Sequence, residues 1–377
     1  MDNFFDIFLN LEDTRDTRGK KHRLIDVIVL SIYGMLCGFT DFYNMAYFLK
    51  KKEPYFTNLL GLINGIPSHD TFSLVFRTIN SKHFMELFIG WTKKIASVKN
   101  KHIAIDGKAI KAATNKVSGA NTPYIVSGFL TGIGLSIGQV KVNEKSNEIT
   151  AIPDLLDLID ITDATITIDA IGTQKNIVEK IIEKKGHYCL SVKENQKLMY
   201  QDINDYFKDD ALKYKEENEK LSKYTTKEKN HGRIEKREYF VIDDVSFIYD
   251  RDSWKNLANV GMVRQSRTIN NETTTEVHYH ILDTKVSAKE YAEITRSHWE
   301  IENKLHWILD VQFKEDFSTA KKDYAIENLA LLRKIVFNLT KLDATMNGKS
   351  VRTKTTDYLI DFNNIELLIF EVIPSNN

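Results

Sequence analysis

The first part of the chain repeats apolar residues every three to four positions. Across residues 82–96, Phe84, Leu87, Phe88, Trp91 and Ile95 fall on one face of a helix. Just upstream, Pro67, Ser68 and Asp70 open another helix, with Ser68 or Asp70 as its N-cap and Phe72, Val75, Phe76 and Ile79 as its buried stripe. Residues 27–39 are nearly all apolar between Asp26 and Asp41. That run falls short of the roughly 20 residues a membrane span needs, and predicts a buried helix. Residues 1–97 therefore read as an all-α N-terminal domain.

At Lys101 the period drops to two. His102, Ile103, Ala104, Ile105 and Asp106 alternate as a strand that a break at Gly107 is expected to end, and runs at 124–130 and 135–142 flank a Gly-rich turn at 131–134. A helix at 149–158, a strand at 165–169, a helix at 174–185 and a strand at 187–192 follow. This βββαβαβ order predicts an α/β sheet with helices packed on it, the order used by ribonuclease H-like folds. From 199 to 283 a charged helical run through Lys220 gives way to strand-like segments at 237–242, 260–268 and 276–282, which reads as a mostly β insertion over about 199–285. One regular helix is expected over 287–309 and another over 325–342, so that residues 98–377 form one interrupted α/β core.

Composition narrows the class. With 377 residues, 42% hydrophobic and 28% charged, and five prolines, the chain has the make-up of a globular protein with a sizeable core. Its two cysteines, Cys37 and Cys189, have apolar neighbours, which argues against disulfides and Cys-based zinc sites. The N-terminus lacks the basic start and cleavage site of a signal peptide, so a cytoplasmic location is expected. The formal net charge of zero runs against the basic surface usual in nucleic-acid binders, although total charge does not report its distribution.

Candidate chemistry sits at strand ends. Asp106 and Asp169 each close a predicted strand ahead of a glycine, Gly107 and Gly172, where functional groups of open α/β sheets gather. A third acid comes from the helix at 287–309: Glu302 lies about 80° from the Ile294 direction, on the shoulder of the apolar stripe, whereas Glu300 points away. Taken singly, each acid is more simply a cap or a surface ion pair. Together they form a candidate set of oxygen ligands for two hard cations, magnesium or manganese, suited to in-line phosphodiester attack. A zinc site from His298, Glu302 and His306 is disfavoured because the outer two lie about 12 Å apart along a helix. Trp299 and Trp307 are more simply core residues than base-stacking platforms.

The chain resembles the H-repeat-associated, or ISAs-type, insertion-sequence transposases over nearly its full length. The matching stretches are GIPSHDTF at 65–72, IDGK at 105–108, residues 142–150 with Ile152 and Pro153, TIDA at 167–170, HGRIE at 231–235 and HWEIENKLHW at 298–307. The resemblance implies a ribonuclease H-like domain with the acidic triad Asp106, Asp169 and Glu302, magnesium-dependent strand cleavage and strand transfer, and double-stranded DNA as partner, both the element's terminal inverted repeats and target DNA. A homodimer on DNA is expected. Leu309 stands where relatives carry a lysine and His298 where arginine is usual, which passes terminal phosphate contacts to His298, Asn303, Lys304 or His306. Further phosphate contacts are expected from Lys108 and Lys111, from Lys193 with Asn195 and Gln196, and from His231 and Arg233. The rival readings are a DNA-binding protein without catalysis, and a nuclease that hydrolyses strands without joining them.

Overall fold

The strand expected at 102–106 is the pivot of a nine-stranded mixed sheet. The computed structural model describes residues 4–16, 20–114, 122–142, 148–208, 221–230 and 232–371. Strands β1 (His102–Ala109), β2 (Tyr124–Leu130) and β3 (Leu135–Lys141) make the antiparallel meander. On the other side of β1, β4 (Thr165–Ile168) and β5 (His187–Val192) add in parallel. Four antiparallel strands, β6 (Ser222–Asn230), β7 (Arg233–Ile242), β8 (Asn259–Ile269) and β9 (Glu272–Leu282), extend the sheet through a β5–β9 pairing, giving the order 3-2-1-4-5-9-8-7-6. The α/β class expected from the sequence holds.

Three details depart from expectation. The segment around residues 222–282 continues the core sheet, because β9 pairs antiparallel with β5 from Cys189↔Leu282 to Val192↔Tyr279. Strand β6 carries the sequence SKYTTKEKN and was invisible to an apolar-alternation test: it is an edge strand, mostly exposed, with the lysines that discourage pairing with another chain. Gly107 does not break β1, which stays paired with β2 as far as Ala109↔Tyr124. The charged run at 213–220 lies outside the described residues.

Among the described residues five α-helices precede the sheet: α1 (Leu24–Leu36), α2 (Phe42–Lys51), α3 (Glu53–Leu60), α4 (His69–Thr78) and α5 (Ser81–Ile95). The uniformly apolar sequence of α1 leaves it no wet face, and 12 of its 13 residues are buried. Ser68 and Asn80 cap α4 and α5 by accepting from the N–H groups of Thr71 and His83. Helices α6 (Glu148–Leu158), α7 (Lys175–Glu183) and α8 (Lys197–Tyr206) belong to the crossovers. Beyond β9 come α9 (Ala288–His298), a π-helical turn (Ile301–His306), α10 (Trp307–Val311), α11 (Ala325–Leu342), α12 (Val351–Ile360) and α13 (Asn363–Glu366).

One contiguous apolar core runs from Phe4 through the sheet to Ile369. Helix α11 ties it together: the buried Asn328 amide donates to the carbonyls of Phe76 and Ile79 at the end of α4, and the Asn338 amide exchanges hydrogen bonds with the Ser136 backbone on β3. Among the described residues no helix is long and apolar enough to cross a membrane.

Candidate active site

Strands β1 and β4 run parallel and in register from His102↔Thr165 to Ile105↔Ile168. The next residue on each is an aspartate, so Asp106 and Asp169 are delivered side by side, one strand spacing of about 4.8 Å apart along the sheet. There the strands part. Asp106 stays opposite Ser127 on β2, while the chain turns after Asp169 into a short 3-10 turn, Ala170–Gly172. The Asn195 amide donates to the Ala170 carbonyl at 2.6 Å and the Gln196 amide to the Thr173 carbonyl at 2.9 Å, which pins this turn from the β5 side. Burial and the neighbouring Asp106 charge push the Asp169 carboxyl above its usual range, against the opposing pull of His298 and of the Ile171 and Gly172 N–H groups.

Glu302 arrives on a helix that is clamped to β1. A capping box between Ser287 and Glu290 starts α9. Side-chain alternation puts His102, Asp106 and Lys108 on one face of β1, and the helix runs along that face as a polar ladder. Ser297 Oγ meets His102 Nδ1 at 3.2 Å, His306 Nδ1 meets Asp106 Oδ2 at 3.4 Å, and Lys108 Nζ meets Asp310 Oδ1 at 2.6 Å. On β4, Thr167 Oγ1 lies 3.0 Å from His298 Nδ1.

The regular α-helix expected over 287–309 is therefore corrected by the π-helical turn at Ile301–His306. Eight residues of α-helix advance about 80° beyond two full turns; one extra residue in a wider π turn takes back about 100°. Glu302, His306 and Asp310 are thereby brought into line toward β1, and Trp299, Asn303 and Trp307 into line away from it. Trp299 and Trp307 are 54% and 56% exposed, which overturns their reading as core residues.

Glu302 is exposed overall, but partial burial of its carboxyl, then repulsion from Asp106, raises it, with His306 opposing and Asp169 adding a smaller push. Glu300 is engaged elsewhere: it accepts from the Gly132 N–H at 3.0 Å and pairs with Lys304 at 2.8 Å. Glu302 is thus the helix acid coupled to the two aspartates.

Sequence reasoning missed Glu148, the first residue of α6. Its carboxylate accepts from the Tyr124 hydroxyl, and burial together with the Asp169 and Asp106 charges raises it. It approaches β1 over Gly107, where an added Cβ would collide with the Tyr124 ring and come within 3.0 Å of the Glu148 carboxyl carbon. The signals available in the sequence were an acid immediately ahead of the helix predicted at 149–158 and its place within the matching stretch 142–150.

Among the described residues no group of three or more His, Cys, Asp or Glu side chains is arranged to hold a metal ion as it stands. The acids nonetheless present an all-oxygen donor set of mutually repelling carboxylates, and the buried His306 Nε2 beside them has no hydrogen-bond partner. That donor chemistry fits hard divalent cations.

The expected DNA contacts divide. Lys193 is exposed at the rim of a cavity of about 610 Å³, lined also by Ala170, Ile171, Asn195, Tyr200 and His278, immediately beyond Asp169. Asn303 is exposed and Lys304 lies beside it. His298 and His306 are turned inward, and the largely buried imidazole of His298 is kept below its usual pKa by that burial, against the attraction of Asp106 and Asp169. Arg233 lies at the β6–β7 hairpin, 2.8 Å from Glu235. Lys108 is 11% exposed and surrounded by Asp310, Glu315 and Asp316, while Lys111 pairs with Asp316 from the surface. His231 lies outside the described residues.

A family model described as "Transposase DDE domain" matches residues 98–339, and a "DDE_Tnp_1-associated" model matches residues 5–92. The chain belongs to the DDE transposase family. This DDE-family chain is 34% identical over 359 residues, 94% of each sequence, to the "H repeat-associated putative transposase YhhI" of Escherichia coli strain K12. It is 33% identical over 336 residues, 88% of this chain and 85% of the relative, to the "Putative transposase YncI" of Escherichia coli O157:H7. The shorter "H repeat-associated putative transposase YbfD" of strain K12 is 36% identical over 234 residues, 62% of this chain and 91% of the relative. The H-repeat-associated resemblance read from six motifs is borne out by these relatives.

Proposed function

We propose that this chain cuts DNA at the ends of an insertion sequence and joins those ends to target DNA, with Asp106, Asp169 and Glu302 as the carboxylates that hold two magnesium or manganese ions. The observation that carries the reading is the register of β1 and β4. That register puts the two aspartates at the ends of neighbouring strands, and Glu302, on the β1-clamped helix, feels the charges of both, which supports a shared site. The strand order 3-2-1-4-5 supports a ribonuclease H-like core over 98–377, interrupted by the insertion over about 199–285. Residues 1–97 form the module that recognises the element ends.

Two bound divalent ions supply activation of a water or 3′-hydroxyl and stabilisation of the leaving oxygen. The protein's own part is to hold and orient. Asp106 is fixed by His306, Asp169 by the turn that Asn195 and Gln196 pin, and Glu302 by the ladder to β1. DNA reaches the acids across the exposed side of the helix, where Trp299, Asn303, Lys304 and Trp307 offer stacking faces and donors, and past Lys193. Arg233 and His231 meet duplex farther along the insertion.

Asp169→Asn keeps the shape and removes the charge. With magnesium, wild-type protein nicks DNA carrying the element's end, and the variant binds that DNA without cutting it. Equal cutting by the variant refutes the triad, and cutting without joined product by the wild type favours the nuclease reading.

A further inference from the structure

The same geometry gives Lys108 a role other than phosphate binding. Lys108 stands two residues after Asp106, on the same face of β1, and its ammonium is the point where three separate acids meet: Asp310 at 2.6 Å, Asp316 at 3.0 Å and Glu315 at 3.2 Å. Its side chain is only 11% exposed, so a phosphate could reach it only by displacing a carboxylate already in place. Asp310 belongs to the helix that carries Glu302, eight residues farther on.

We infer that Lys108 is a positioning residue that locks the helix bearing Glu302 to the strand bearing Asp106 and so fixes the separation of those two carboxylates. The segment between His298 and Asp310 needs such an anchor. It includes the π-helical turn, whose irregular bonding leaves the height of Glu302 along β1 undetermined by the helix itself. The upstream end is held by His298 on Thr167, the middle by His306 on Asp106, and the downstream end by Lys108 on Asp310. Of the three, the lysine–aspartate ion pair is the shortest and joins two full charges in a largely buried place, so its Coulomb attraction resists sliding most strongly although Asp310 Oδ1 is not in hydrogen-bonding geometry. Glu315 and Asp316, in the turn after α10, hold the ammonium from the far side and keep it from swinging toward solvent. This role rests on the assignment of Asp106 and Glu302 as catalytic carboxylates.

The test uses the full chain and three variants: Lys108→Met; Asp310→Asn, which leaves Lys108 two acids and so preserves folding; and Asp169→Asn as reference. Mn2+ binding without DNA is followed by water-proton relaxation, and end-DNA affinity is measured in Ca2+ as a function of salt. Positioning by Lys108 predicts that Lys108→Met and Asp310→Asn each weaken Mn2+ binding at least about tenfold, while DNA affinity and its salt slope stay at wild-type values. A phosphate contact predicts the reverse, weaker DNA binding with a salt slope reduced by about one, and that result overturns the inference. Wild-type Mn2+ binding in the two clamp variants, with loss in Asp169→Asn, also overturns it while leaving the triad standing. Wild-type Mn2+ binding in all three sinks the triad, and the positioning role with it.

Discussion

Replacing Glu315 by glutamine removes one negative charge from a buried ionic cluster. The Glu315 side chain is 2% exposed, 3.2 Å from Lys108, and faces Lys334 and Arg333, which are themselves buried on α11. Burial alone would raise its carboxyl; Lys334, Lys108 and Arg333 outweigh that and hold it below the usual range. Glutamine fills the same volume but leaves the two buried cations with neutral acceptors, the Phe313 carbonyl at 3.1 Å from Arg333 and the Gln139 side-chain oxygen at 2.7 Å from Lys334. Breaking a buried pair from one side costs about 3–5 kcal/mol. An unfolding entropy of about 2.1 cal/mol/K per residue makes 1 kcal/mol worth about 1.3 °C in a chain of this length. The expected loss is therefore about 4–6 °C in Tm, read by calorimetry or by urea melts at neutral pH.

The pH dependence supplies a second check. A carboxylate depressed in the folded state stabilises above its unfolded pKa, and that stability is lost as pH falls through the lower folded value. Glu315→Gln therefore flattens the acid limb of the stability curve. Lys334, lowered to about 8 chiefly by burial, carries a penalty where Glu315 carries a gain: the folded state bears the cost of its charge below that value, so here too stability rises with pH, from about 8 toward the unfolded lysine range. Without the Glu315 charge this rise begins at lower pH. A loss under about 1 kcal/mol, with both limbs unchanged, would refute the claim that these charges are buried and mutually dependent.

Two further outcomes follow from the acids and the exposed indoles. Trp299→Ala and Trp307→Ala each remove a half-exposed ring from the helix that carries Glu302; if bases stack there, single-strand or nicked-end affinity falls by about 1–3 kcal/mol per ring, and unchanged Kd in both variants excludes stacking. Glu148→Gln keeps the Tyr124 hydrogen bond while removing a charge next to Asp106 and Asp169. Mn2+ affinity should drop by about tenfold, or 1.4 kcal/mol, while Tm of the metal-free protein rises because repulsion between the carboxylates is relieved, and calorimetric binding equal to wild type would show that Glu148 takes no part.

The chain's local pattern determined the elements that carry the chemistry. The strand at 187–192 and the helix at 325–342 appear with the bounds that alternation and periodicity predict, and Asp106 and Asp169 were visible because each follows a short, apolar, alternating run. Local pattern reports which face of an element is dry, and that is set within ten or so residues. It does not report pairing between distant strands. That β9 joins β5, so that residues 222–282 extend the core sheet, depends on which edge each strand finds. The π turn at Ile301–His306 and the exposure of Trp299 and Trp307 go with the tertiary contacts of His306 on Asp106 and Asp310 on Lys108, and the approach of Glu148 over Gly107 with its hydrogen bond to Tyr124. Helical phase can be read from a sequence only while the helix is regular, and here contacts with a strand some two hundred residues away reset it.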